Sequence, residues 1–147
     1  MSVNKVFSAF DISASGLAAE RIRMNVIANN IANANTTDSP EGGPYRKEQV
    51  VFSSVLDQAM KNTDVKGMER LGGVKVKNII KSTEPFNKVY IPGHPKADEK
   101  GFVEMPNVNT VTEMVDLVTA SRSYEANLAV INSAKDMSNK ALSIIGR

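Results

Sequence analysis

The side chains best suited to chemistry in this sequence do not stand together in any catalytic or metal-binding pattern. The one histidine, His94, lies in the motif PGHP, and the chain has no cysteine. A catalytic or metal-bound histidine needs further ligands, or a nucleophile such as the serine of G-x-S-x-G, and neither pattern occurs. Gly72-Gly73 is not followed by the Lys-Ser/Thr pair of a phosphate-binding loop. The sequence therefore predicts no enzymatic activity, no metal, no cofactor and no small-molecule substrate, and a structural role for His94.

Carboxamides are the unusual polar groups of the chain, because five asparagines fall between Asn25 and Asn35. Asparagine forms helices poorly, yet the residues before this run read as an unbroken helix. On a helix, Asn29 lies one turn from Asn33, and Ala28 one turn from Ala32. The amides either hydrogen-bond across a close helix contact and fix its register, or belong to a solvated helix end that leads into a turn. The spacing leaves both interpretations open.

Composition and charge restrict the class of protein. The chain has 147 residues, 41% of them hydrophobic, and a formal net charge of +2. No segment accumulates the positive charge needed to follow a phosphate backbone, so we expect no nucleic-acid binding. No apolar stretch has the length of a signal-peptide core or a membrane span. We therefore predict no direct membrane insertion, and a protein that either stays in the cytoplasm or leaves without a cleaved signal.

The two ends of the chain carry the periodicity of long helices. The first, over residues 3–34, has apolar or small residues in the three-and-four rhythm of a coiled-coil seam. The second, over residues 109–145, contains no Gly or Pro. The motif Thr110-x-x-Glu113 predicts a capping box at its start, and Gly146 predicts its end. The N-terminal seam comprises Phe7, Phe10, Ala14, Leu17, Met24, Ala28 and Ile31.

The segment between the helices is rich in turn residues. Residues 38–44 indicate a loop, and strands are predicted over 45–52 and 71–80, with Lys75 and Lys77 on a solvated strand face. FSSVLDQAMKN has apolar spacing that predicts one short helix. The fold class is thus mostly α with a small β middle, the long terminal helices pairing as a coiled coil. We expect a discontinuous helical domain, 1–36 plus 108–147, and a small middle region, 37–107.

Apolar and small residues occupy more than one face of both predicted helices. A lone pair of helices needs only one such face on each, and the middle region is too small to cover the rest. This distribution favours burial against other chains. A self-contained helical hairpin with a β insertion is the alternative.

Two long stretches resemble a known family. SAFDISASGLAAERIRMNVIANNIANANT resembles the N-terminal signature shared by the axial proteins of the bacterial flagellum, the rod and hook subunits. PGHPKADEKGFVEMPNVNTVTEMVDLVTASRSYEANLAVINSAKDM is similar to the return segment and terminal helix of a rod member of that family. The resemblance covers nearly the whole chain and is weakest over 53–70. It departs from many axial proteins after Thr37, where the sequence continues as DSPEGGPYR and the aromatic Tyr45 comes only near the end of that stretch.

This resemblance implies a structural subunit of the proximal rod that polymerises through its terminal helices into part of the periplasm-spanning drive shaft and export channel. The implied partners are other flagellar rod proteins and further copies of this chain, in a helical, heterologous assembly. It also implies export by the flagellar type III apparatus without a cleaved signal peptide. A soluble helical-hairpin export adaptor or chaperone is the alternative function. A peptidoglycan-cutting enzyme is disfavoured because the sequence lacks paired acids and metal ligands.

The family's two motifs give the predicted subunit interface. Its Asn-rich motif falls on Ala28, Asn29, Asn30, Ala32 and Asn33 of this sequence. Its C-terminal counterpart falls on Ser121, Arg122, Tyr124, Glu125, Ala126 and Asn127. With the apolar positions beside them, the predicted interface residues are Leu17, Met24, Ala28, Asn29, Asn30, Ile31, Ala32, Asn33, Leu117, Ser121, Arg122, Tyr124, Glu125, Asn127, Leu128 and Ile131.

Overall fold

Two long helices lie at the ends of the chain, and the described residues between them form four strands. The computed structural model describes residues 3–40, 42–56 and 71–145. In chain order the elements are α1 (Val3–Ala32), β1 (Glu48–Leu56), β2 (Leu71–Lys81), β3 (Asn87–Tyr90), β4 (Phe102–Met105) and α2 (Thr110–Ile145). The helices contact each other, and the strands form two antiparallel pairs, β1 with β2 and β3 with β4. The predicted fold class is confirmed.

Asparagine residues mark the C-terminal end of α1 and the N-terminal start of α2. After α1, the Thr36 amide donates to the Asn33 carbonyl at 3.1 Å, which turns the chain out of the helix. At the start of α2, the Asn109 side-chain oxygen accepts from the amides of Val111 and Thr112 at 3.0 and 3.2 Å. The predicted capping box at Thr110 is therefore wrong, because Asn109 is the N-cap. The predicted stop, Gly146, lies outside the described residues.

The first sheet is longer than the sequence indicates. β1 runs on through Phe52 to Leu56, so the short helix predicted from Phe52 is wrong as far as Leu56. The rest of that segment, including Ala59 and Met60, lies outside the described residues. The Ser82 amide donates to the Lys47 carbonyl at 2.8 Å and continues the pairing beyond β1. The exposed positions of Lys75 and Lys77 on β2 confirm the predicted solvated face.

The second sheet is a hairpin whose connecting loop is held by side chains. Tyr90 pairs with Phe102, and the Asp98 carboxylate accepts from the Lys100 and Phe102 amides at 2.9 and 2.8 Å. His94 belongs to this loop: its Nδ1 accepts from the Lys96 amide at 3.1 Å. The structural role predicted for His94 is confirmed.

The chain divides into two compact units, and each helix contributes to both. The first unit comprises Met1–Ile22, Phe52–Lys77 and Ala120–Arg147, and the second comprises Arg23–Val51 and Asn78–Thr119. Buried apolar side chains in the first are Ala19, Ala120 and Ala134, and in the second Val26, Ile27, Val103 and Val108. Among the described residues both cores are small. Polar side chains therefore make many of the contacts that join the helices and strands.

Across the described ranges, no helix is both long enough and apolar enough to cross a membrane. In the same ranges, no three histidine or carboxylate side chains come together in a way that could hold a metal ion.

Candidate functional site: a buried asparagine and the faces of the helices

The most buried carboxamide of the second unit is Asn30, which is 1% exposed. Its amide nitrogen donates to the Glu48 carbonyl and to Glu113 Oε2, both at 2.9 Å. Its side-chain oxygen accepts from the Glu48 amide at 2.9 Å and from the Tyr45 hydroxyl at 3.0 Å. Both donors and both acceptor positions of the amide are thus used. One side chain of α1 joins a strand, a loop and α2.

Asn30 also fixes where β1 begins. The side-chain amide bonds both the N–H and the C=O of Glu48, as a neighbouring strand would bond them. Glu48 is the first residue of β1. Because the pattern satisfies both backbone groups, the strand starts at this position without a third strand beside it. The amide therefore sets the register of β1 against α1.

Glu113 supplies the buried charge of the cluster that it forms with Asn30, Tyr45 and Lys47. Its side chain is 1% exposed, and Lys47 Nζ lies 2.6 Å from Oε1. Asn30 donates to the other carboxylate oxygen. A buried carboxylate is costly unless it is paired and hydrogen-bonded, and here a cation and an amide share that role. Removing Lys47 would leave an uncompensated charge between α1 and α2, and removing Asn30 would leave one carboxylate oxygen without its donor.

Tyr45 stays protonated in this setting. Burial of its hydroxyl, and to a smaller extent the nearby carboxylates of Glu48 and Glu113, raise its pKa to about 12. The neutral hydroxyl keeps the proton that it donates to Asn30. Ionisation of Tyr45 is opposed because it would place a negative charge in a partly buried position, and also close to the carboxylates of Glu48 and Glu113.

We expect the contribution of Tyr45 to stability to disappear in strong alkali. The folded pKa lies above the unfolded value of 10.0, so the folded state holds the proton more tightly. This contribution is complete below pH 10 and is lost as the pH rises towards 12. Urea unfolding between pH 8 and 11.5 should show a steeper loss of stability for the natural chain than for Tyr45→Phe. Lysines titrate in both proteins, so parallel curves would contradict the expectation.

A second asparagine holds the backbone that leads into β1. The Lys47 amide donates to Asn107 Oδ1 at 2.9 Å, and Asn107 Nδ2 donates to the Glu84 carbonyl at 3.3 Å. Arg46 lies over the Phe86 ring, 4.2 Å from its centroid, and donates to the Ser82 carbonyl. These bonds fix the segment that carries Tyr45 and Lys47, and so position the partners of Asn30.

In the first unit, close approach rather than charge joins the elements. A side chain at Gly16 would place its Cβ 2.9 Å from Asn127 Nδ2, so α1 and α2 meet here only because Gly16 has none. The Ser15 hydroxyl donates to the Ile12 carbonyl at 2.7 Å and accepts from the Val74 amide at 3.1 Å. Gly73, beside it on β2, has a φ of +106°. The beginning of β2 is thereby held against α1.

The asparagines of the run therefore have different structural roles. Asn30 is a register lock within the chain, whereas Asn33 closes the helix end: its Nδ2 donates to the Asn29 carbonyl at 2.9 Å and its Oδ1 accepts from Thr36. Asn25 and Asn29 are exposed. Each of the two interpretations that the spacing left open holds for a different asparagine.

The predicted interface residues occupy three levels of burial. Asn30 alone is buried. Half-buried residues are Leu17, Met24, Ile31, Asn33, Leu117, Ser121, Tyr124, Asn127 and Ile131. Exposed residues are Ala28, Asn29, Ala32, Arg122, Glu125 and Leu128.

The inner face of each helix is more polar than its sequence indicates. On α1 the buried row includes Ser13, Ala19, Ile27 and Asn30, whereas Ala14 and Ala28 of the predicted seam are exposed. On α2 the most buried positions are Glu113, Ala120 and Ala134. The buried positions of the helices thus combine small and polar side chains with the apolar Val26 and Ile27, in place of the purely apolar stripe that periodicity predicts.

Sequence reasoning missed Tyr45 and Glu113 as partners of Asn30. It also missed Lys47, which pairs with Glu113, and Asn107, which holds the Lys47 backbone. Glu113 lies 83 positions from Asn30, beyond the reach of any local pattern. The one usable signal is the position of Glu113 four residues before Leu117, which places a carboxylate on an otherwise apolar row. The arrangement of these groups can hold elements together but offers no nucleophile or open site for a reaction.

Family models match both ends of the chain. The model described as "Flagella basal body rod protein" matches residues 10–38, and that described as "Flagellar basal body rod FlgEFG protein C-terminal" matches residues 99–144. These ranges contain the Asn30 region of α1, strand β4 and nearly all of α2.

Full-length relatives match almost the whole chain. The flagellar basal-body rod protein FlgC of Borreliella burgdorferi is 44% identical over 148 residues, covering 95% of this chain and 97% of the relative. FlgC of Salmonella typhimurium is 45% identical over 139 residues, with the same coverage. FlgC of Bacillus subtilis is 42% identical over 149 residues, covering 94% and 97%.

Proposed function

Because this chain belongs to the family of the flagellar basal-body rod protein FlgC and is a structural, non-enzymatic subunit of the rod, we propose that it polymerises through its terminal helices. In this proposal it forms part of the shaft that crosses the periplasm and part of the channel within it. Its neighbours are other flagellar rod proteins and further copies of the chain, arranged head to tail as in other open assemblies.

The observation that carries this proposal is the similarity to FlgC relatives over 95% of the chain, which includes both long helices. The faces of α1 and α2 support it further. Ala28, Asn29 and Ala32 on α1, and Arg122 and Leu128 on α2, are exposed in the single chain. These residues are therefore available to neighbours. Asn30 and the half-buried predicted residues would act by holding the helix pair in the shape that neighbours meet.

The proposal assigns different tasks to two parts of the chain. Residues 1–36 and 108–147 form the helical domain of the rod core, and residues 37–107 form a small region outside it. We further propose that the chain reaches the rod through the flagellar type III export apparatus, without a cleaved signal peptide.

Isolated basal bodies test the proposal directly. We expect the chain to be present in purified hook–basal bodies and a deletion strain to assemble neither hook nor filament. Complementation with the natural gene is the control. A deletion strain that still builds hooks, or a chain that stays in the cytoplasm and is absent from basal bodies, would favour the export adaptor or chaperone instead.

A further inference from the structure

The outer side of α2 in the second unit carries a row of four exposed apolar side chains. Val111, Met114, Val115 and Val118 are 70%, 55%, 61% and 54% exposed. Their spacing of three, four and seven residues puts them on one face of the helix. We call these four residues the outer stripe. At 3.6 residues per turn, it lies on the side opposite Glu113 and Ala120, which are buried.

This arrangement is inverted relative to an ordinary helix pair. The inner side of α2 buries a carboxylate, whereas its outer side leaves bulky aliphatic groups in water. Each square ångström of apolar surface removed from water contributes roughly 25 cal/mol. Nothing among the described residues uses the outer stripe, so its burial free energy remains for a contact outside the chain.

The outer side of α1 in the same unit has the opposite shape. Asn25, Ala28, Asn29 and Ala32 are exposed, with Ala28 and Ala32 one turn apart. We call these four residues the alanine face. Alanines let a second helix approach closely, and bulky side chains fit into the shallow spaces between them. Thr112 and Thr119 border the outer stripe and are exposed, so the amides of Asn25 and Asn29 would meet hydroxyl groups.

We propose that the outer stripe of one copy packs on the alanine face of a second copy, an inference that rests on the proposed function and names one of its contacts. Bulky side chains on one helix and small ones on the other are complementary in size. Because the two surfaces lie on different helices, each copy offers one of each. Such a contact is heterologous and adds copies without closing into a pair, as a rod requires.

The size of the contact explains why it needs the assembly. A stable two-chain complex buries about 800 Å² on each partner, and four side chains provide only part of that area. Two free copies should therefore associate weakly. In a rod, each copy also contacts other neighbours, and the same stripe is buried at little further cost in lost freedom of motion.

Cysteine cross-linking tests this pairing, because the natural chain has no cysteine. The double variant Val115→Cys/Ala28→Cys should give disulfide-linked species larger than a dimer in isolated basal bodies under mild oxidation. A disulfide needs Cα atoms within about 7 Å, so it reports close packing. Each single variant should give none. The matched control Val115→Cys/Lys88→Cys pairs the stripe with an exposed strand residue of the same unit and should also give none.

A charge substitution provides an independent readout. Val115→Glu alters an exposed position, so its melting temperature should match that of the natural chain, while its recovery in basal bodies should fall at least tenfold. Thr83→Glu, at an exposed loop position of the same unit that belongs to neither surface, should be incorporated normally.

Three outcomes would overturn the inference while leaving the proposed function intact. These are normal incorporation of Val115→Glu, dimers formed by Val115→Cys alone, and no disulfide from Val115→Cys/Ala28→Cys in basal bodies that contain the variant. Absence of the natural chain from basal bodies would instead remove the proposed function itself.

Discussion

Replacing Asn30 by alanine is expected to lower the free energy of unfolding by about 3–5 kcal/mol, the largest loss from any single side chain of the cluster. The substitution removes four hydrogen bonds at a position that is 1% exposed. It leaves Glu113, the backbone of Glu48 and the Tyr45 hydroxyl without this partner. Each buried polar group left unpaired costs about 1–3 kcal/mol, and water entering the space recovers part of that loss.

Urea unfolding followed by circular dichroism at pH 7 measures this effect, with Asn29→Ala as the matched control. Asn29 is an exposed asparagine on the same turn, and its loss should change stability by less than about 0.5 kcal/mol. Asn30→Asp should be at least as harmful as alanine, because a carboxylate cannot donate to Glu113 and adds a like charge beside it. Equal stabilities for the two alanine variants would show that Asn30 does not hold the cluster.

Substitution of Gly73 by alanine is expected to cost about 3 kcal/mol and to detach β2 from α1 in the first unit. Gly73 has a φ of +106°, a conformation that side chains disfavour. An added Cβ would overlap the Ser15 hydroxyl and would lie 3.5 Å from Ile12 Cα. Moving Ser15 aside breaks its bond from the Val74 amide. The strain of the backbone and the lost contact therefore add.

Gly42→Ala separates these two causes. Gly42 has a φ of +86° with nothing within 4 Å of an added Cβ, so it reports the backbone cost alone, about 1 kcal/mol. Ser15→Ala combined with Gly73→Ala should lose less stability than the sum of the single changes, because the first opens space for the second. Thermal unfolding of the four variants measures the difference. Additive losses would argue against the contact.

In the second unit, α2 combines a polar inner side with an apolar outer side, and its inner Glu113 bonds the buried Asn30 of α1. Inner polar groups such as Asn30 and Glu113 stabilise one register, because a shift by one turn leaves a buried charge and an amide unpaired. Outer groups such as Val111 and Val115 contribute little until another surface covers them. A subunit that carries load needs a single fixed register, and a subunit that polymerises needs an apolar surface for its neighbours.

Much of the local structure follows from the sequence. The predicted helices over 3–34 and 109–145 differ from α1 and α2 by two residues or fewer at each described end. The strand predicted over 71–80 is one residue shorter than β2. Hydrogen bonds within a helix join residues four apart, so periodicity and the positions of Gly and Pro are sufficient to find it. The family resemblance also follows from the sequence, and so does the lack of catalytic motifs.

Local pattern failed where two readings of the same residues compete. Thr110-x-x-Glu113 fits a capping box, but Glu113 is used by Asn30 and Lys47, and Asn109 caps the helix instead. Phe52–Leu56 has spacing that suits a helix, but pairing with β2 extends the strand. In both cases the contact with a distant partner is more stable than the local arrangement. The reason is that it also satisfies hydrogen-bonding groups that would otherwise be buried unpaired.

The sequence by itself determined the two long helices, most of β2 and the class of protein, since these depend on neighbours a few residues apart and on long matching motifs. It did not predict the hairpin of β3 and β4. Only the tertiary structure decided which of the five asparagines is buried and which side of each helix faces inward. Asn29 and Asn30 are chemically identical and adjacent, yet they differ by about 100° around the helix axis. The residues that distinguish them, Glu48 and Glu113, lie 18 and 83 positions further along the chain.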